Sequence, residues 1–152
     1  MENKDIQGEI KKSSSKISIF EVIIAVLIIL LVTLVFYPRF LDVLRKSNEA
    51  TTRANLTALR SAIAVYYGDN EGVFPGENIV QELTGEDGKY IKYIPEVYCP
   101  PYTNPTNEIT TKPTGNSGKW AYQIEDSENR QAGEIWIDCD KEDSRGVVWN
   151  TY

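Results

Sequence analysis

The apolar run at 17–38, ISIFEVIIAVLIILLVTLVFYP, constrains this chain more than any other feature. As a helix, the residues ahead of the proline span about 31 Å, the thickness of a bilayer's hydrocarbon core. One carboxylate, Glu21, sits inside the run, and Pro38 closes it. An acid at the centre of a membrane costs roughly 2.5–3.5 kcal/mol on insertion scales, so a chain that carries one there needs a place to hide it or a use for it. Lys11, Lys12 and Lys16 precede the run, and by the positive-inside rule they hold residues 1–16 in the cytoplasm. Arg39, Arg45 and Lys46 on the far side oppose that bias. A removed secretory signal fits less well, because the run is too long and no A-x-A-like site follows it. The expected organisation is a cytoplasmic leader-like segment at 1–16, a transmembrane half-helix at 17–37 and an extracytoplasmic domain at 38–152.

The helical pattern continues past Pro38. Ala50, Ala54, Leu56, Leu59, Ile63 and Tyr66 form an apolar stripe, placing Arg45, Lys46, Glu49, Arg53 and Arg60 mostly on the other side. Neither Gly nor Pro interrupts residues 39–67, and Gly68-Asp69-Asn70 supplies a stop. A single helix over 17–67 would be about 77 Å long, with Pro38 as a kink. Beyond it, GDNEGVFPGEN reads as turns, Ile79 to Leu83 as a short helix, and residues 99–118 as a Pro-, Thr- and Asn-rich surface loop. Strands are predicted late. Trp120, Tyr122 and Ile124 alternate with Lys119, Ala121 and Gln123; Ile135, Ile137 and Cys139 alternate with Glu134, Trp136 and Asp138; Val147 to Trp149 reads as a third strand. The fold class expected is α+β, a long N-terminal helix packed on a small C-terminal antiparallel sheet. The aromatics Trp120, Tyr122, Trp136 and Trp149 are read as sheet core and cross-strand pairs.

Charge separates along the chain. Residues 39–60 hold five basic and two acidic side chains, net +3; residues 61–152 hold seven and sixteen, net −9. An acidic head repels phosphates, so it is not expected to bind nucleic acid. The chain has two cysteines, Cys99 and Cys139. In an extracytoplasmic head their first reading is one disulfide, worth roughly 4 kcal/mol in the chain-entropy model. Two free buried thiols and half a metal site are the alternatives.

The layout of a long N-terminal helix, half in a membrane and half under a small sheet, resembles that of type IV pilins and type II secretion pseudopilins. The residues carry the resemblance too. That family's mature chains begin F-T-L-x-E, and Ile17-Ser18-Ile19-Phe20-Glu21 puts the glutamate in register. The family often has a proline seventeen residues after it, which falls here on Pro38. NLTALRSAIAVYYGDNEGVFP is similar to the family's helix end and following turn, and GEIWIDCDKEDSRGVVWNTY to the closing strands of several members. The prepilin peptidase of the family cuts after a glycine; the matching position is Lys16, ahead of Ile17, so cleavage between the two stays open.

The resemblance implies a bacterial inner-membrane protein, N-terminus in and C-terminus out, with like subunits and a pilus or secretion assembly machinery as partners. It implies that Glu21 faces the α-ammonium of a neighbouring subunit and sets register; snorkelling of Glu21 to the headgroups is the alternative. It also makes Asp138, Asp140 and Asp143 weak calcium candidates, against the plainer reading of a solvated acidic turn. No catalytic residues are expected. The chain has no histidine, no Gly-rich phosphate loop and no nucleophile elbow. The expected function is a structural subunit of a pilus or pseudopilus-like filament. The alternative is an uncleaved, single-pass anchored module that does not polymerise.

Overall fold

The computed structural model describes residues 18–85 and 87–152. The leader-like segment and the Lys16-Ile17 junction lie outside the described residues. Helix α1, Ile19–Asp69, is uninterrupted by glycine until Gly68 and continues through Pro38. Thr33, Thr51, Thr57 and Ser61 bond back one turn, as in Thr33 Oγ1 to the Ile29 carbonyl at 2.8 Å and Ser61 Oγ to the Thr57 carbonyl at 3.0 Å. These side chains thereby satisfy themselves within the helix. The stop falls where the sequence places it. Asn70 Nδ2 donates to the Tyr66 carbonyl at 2.8 Å, and the Gly72 N–H to the Tyr67 carbonyl at 3.0 Å.

The chain divides into two compact units, Met1–Arg39 and Phe40–Tyr152. In the first, every described side chain is exposed. In the second, α1 buries Glu49, Thr52, Leu56, Leu59, Ala62 and Ile63, residues three or four apart along one face. Helix α2, Ile79–Thr84, adds Ile79 and Leu83 to the same core.

The sheet has three short strands in the order β1 (Ile109–Thr110), β2 (Trp120–Tyr122), β3 (Ile135–Ile137). Strands β2 and β3 are antiparallel, with Trp120 opposite Ile137 and Tyr122 opposite Ile135. Strand β1 is parallel to β2, so the sheet is mixed rather than antiparallel. Two residues between Pro105 and Pro113 are too few to show an alternation, which is why this strand reads as loop in the sequence. The expected strand at Val147 to Trp149 reduces to one bridge, Val148 to Glu142, followed by a 3-10 turn at Trp149–Thr151.

Strands β2 and β3 are buried on both faces, where the alternation predicts one wet face. Trp120, Tyr122, Ile135 and Ile137 join the core with Leu56, Leu59 and Ile63 of α1. On the opposite face Trp136 lies beneath the Arg130 guanidinium, 4.1 Å from its ring centre, and Asp138 lies beneath the loop at 114–117. A loop and a cation thus replace the solvent that the pattern implies.

Candidate assembly segment and the polar clasp of the head

The segment of α1 before Arg39 is apolar around its whole circumference, not along one stripe. Leu34 is 79% exposed and Leu30 60%. A helix of this kind is compatible with a membrane anchor, and it uncovers more contiguous apolar surface than the surface of a soluble domain usually carries. It is long and apolar enough to cross a membrane. Glu21 occupies its first turn, where the positive end of the helix dipole favours a carboxylate.

In the head, the polar side chains of α1 form a clasp on the chain's later segments. Glu49, which the sequence pattern assigns to the outer side, is fully buried. Its carboxylate accepts the Ser144 N–H at 3.0 Å and the Ser144 hydroxyl, and pairs with Arg45 Nε at 3.1 Å. One turn on, Thr52 Oγ1 donates to the Tyr98 carbonyl at 2.8 Å and accepts the Tyr98 N–H at 3.1 Å. Asn55 Nδ2 donates to the Glu96 carbonyl at 2.7 Å. Arg60 donates to the carbonyls of Ile135 at 3.1 Å and Tyr152 at 2.7 Å. Burial lowers the Arg60 pKa, with Glu134 opposing and Arg130 adding to the effect. Helix α1 is therefore tied to the loop at 96–98 and to residues 135–152 by directional bonds as well as by packing.

Asp143 is the centre of that clasp. It receives Arg53 Nη1 at 3.0 Å, the N–H groups of Arg145 at 2.8 Å and Val147 at 3.1 Å, and the Tyr152 hydroxyl at 2.6 Å. Burial pushes its pKa up, but the Tyr152, Val147 and Arg145 donors outweigh burial and hold it at about 2.

The acidic residues offered for calcium do not converge. Asp138 is buried and accepts the N–H groups of Thr114, Gly115 and Ser117 and the Ser117 hydroxyl. Burial opposes ionisation there, and those donors prevail, lowering the pKa. Asp140 is exposed and paired with Lys141 at 3.0 Å. Among the described residues no three His, Cys, Asp or Glu side chains are grouped to hold a metal ion. Asp140 and Glu142 are solvent-exposed, whereas Asp138 and Asp143 are internal pins.

Cys99 and Cys139 are unlinked in this structure, and both are buried in the core. Burial, then the adjoining Cys139 thiol, pushes the Cys99 thiol above its ordinary value. Glu49 is the clasp residue whose burial departs from the sequence pattern. The signal was present: the stripe at 56, 59 and 63, carried backward at helical spacing, passes through 52 and 49.

No protein-family model, curated protein or solved structure matches the chain.

Proposed function

We propose that this chain is a structural subunit of a pilus- or pseudopilus-like filament, held in a membrane and joined to like subunits by the apolar part of α1. The observation that carries the reading is the exposure of that segment on every side, beside a head with its own closed core. A simple anchor needs length and hydrophobicity only. Glu21, in the register of the pilin-like motif with Pro38, gives the segment a feature that an anchor does not need and an inter-subunit contact does. Inside an assembly the carboxylate is tolerable when a neighbour's cation lies within about 4 Å.

Lys16, in place of the glycine after which pilin-like leaders are cut, favours a second reading: an uncleaved anchored module that stays monomeric. A photo-activatable residue at Leu30 of the full chain, in its own membrane, separates the two. The filament reading predicts covalent adducts between copies, reduced by Glu21→Ala. Adducts to lipid alone would favour the monomeric anchor.

A further inference from the structure

We propose that the outer edge of β1 is a docking site for an extended, uncharged polypeptide segment of a partner protein. The segment adds to the sheet as a short further strand and rests one apolar side chain in the adjoining groove. The inference goes beyond filament membership and holds for a polymerised or a monomeric chain alike.

The direction of backbone hydrogen bonding alternates along residues 106–111. Thr106 exchanges both of its backbone bonds with Val97, at 2.8 and 3.1 Å, and the Glu108 carbonyl accepts the Trp120 N–H at 3.1 Å. The parallel register sets Ile109 beside Trp120 and Thr110 beside Ala121, so Thr110 also turns its groups to β2. Asn107, Ile109 and Thr111 turn theirs the other way, and among the described residues none bonds their N–H or carbonyl groups. The open edge is bounded at both ends. The Thr106–Val97 bridge closes one, and the turn in which Thr110 Oγ1 accepts the Lys112 N–H at 3.2 Å, followed by Pro113, closes the other. Lys112 and Pro113, residue types that commonly blunt sheet edges, stand past the open stretch and not within it.

Beside this edge lies a groove of about 800 Å³, lined by Val80 and Thr84 of α2, by Tyr93 and Ile94, and by Ile109 itself. Val80 is 44% exposed and Tyr93 68%. Two features select the occupant. Donors and acceptors at alternate residues of an edge are matched by a second extended backbone, which pairs with both kinds at once. The charges on the rim also balance: Asp87 offsets Lys92, and Glu108 is held by Lys119 at 2.5 Å. The groove therefore offers no net attraction to phosphates or to a highly charged chain. Three outward residues make a short ladder, so an apolar side chain seated against Val80 and Tyr93 supplies the anchor that backbone bonds alone do not.

The test uses the full chain, isotope-labelled, in detergent micelles. The probe is a pentapeptide of alternating threonine and valine, blocked at both ends, and amide hydrogen exchange is followed by NMR. We expect the Ile109 amide to exchange freely in the chain alone, and at least about tenfold more slowly with the peptide at millimolar concentration. The same peptide methylated at every backbone nitrogen should give no protection. Tyr93→Ala, at an exposed position, should weaken binding several-fold and leave the denaturant midpoint of the head unchanged. Equal binding of the methylated peptide would overturn strand addition, and undiminished binding by Tyr93→Ala would overturn the groove as its anchor. No change at Ile109 with the unmethylated peptide would overturn the site. Protection that rises with protein concentration in the absence of peptide would overturn the foreign partner, because a second copy would then be the occupant.

Discussion

Asp143 has no apolar burial to offer and still organises the end of the chain. Five donors from Arg53, Arg145, Val147 and Tyr152 converge on its two oxygens. Its pKa is about 2 in the folded head against 3.8 ordinarily. A depressed folded value means that its contribution is complete above the ordinary value and is lost as pH falls through the folded one. That difference corresponds to about 2 kcal/mol, present at neutral pH and lost between about pH 4 and pH 2. Denaturant titrations across that window are expected to show an acid limb that flattens in Asp143→Asn, with stability at pH 7 lowered by a similar amount. An unchanged acid limb would contradict this role for Asp143. Glu49 is the second carboxylate that binds the end of the chain to α1. Glu49→Ala leaves the Ser144 N–H and hydroxyl without their acceptor, and is expected to cost about 2 kcal/mol by denaturant midpoint. Glu49→Gln, which keeps an acceptor, is expected to cost less.

At the scale of elements, α1 beyond Arg39 is a spine whose one face carries both the apolar stripe and the polar teeth of the clasp. Its existence, its stop near Gly68 and the buried positions Leu56, Leu59 and Ile63 are legible in the sequence, because long uninterrupted periodicity is the strongest local signal; Ala50 and Ala54, read onto the same stripe, are exposed, and Glu49 and Thr52 are buried in their stead. Helix α2 is legible as a short run, Ile79 to Leu83, closed by Gly85. Strand β1 is not, since two residues carry no period and its pairing with β2 comes from contacts distant in sequence. The covered second face of β2 and β3 is equally hidden. Nothing in Glu134, Trp136 and Asp138 announces that Arg130 and the loop at 114–117 will cover that side. That loop depends on Gly118, whose φ of +69° and contact with Thr103 leave no room for a side chain. Gly118→Ala is expected to destabilise the head by about 1–3 kcal/mol in thermal or chemical denaturation, while Gly115→Ala, with nothing near its Cβ position, carries only the backbone cost of its positive φ.

For the whole molecule, the division after Arg39 matches a change in burial. On one side every described apolar side chain is uncovered; on the other a core closes around Trp120, Tyr122 and Trp149. The α+β class and the membrane-length helix follow from the sequence, whereas filament membership rests on Glu21, Pro38 and the uncovered segment together, with Lys16 against it. The measurement that tests this most directly is the N-terminal mass of the native chain in sheared surface filaments and in the membrane. The filament account predicts chains in the sheared fraction that begin at Ile17. Chains found solely in the membrane, with residues 1–16 intact, would contradict it.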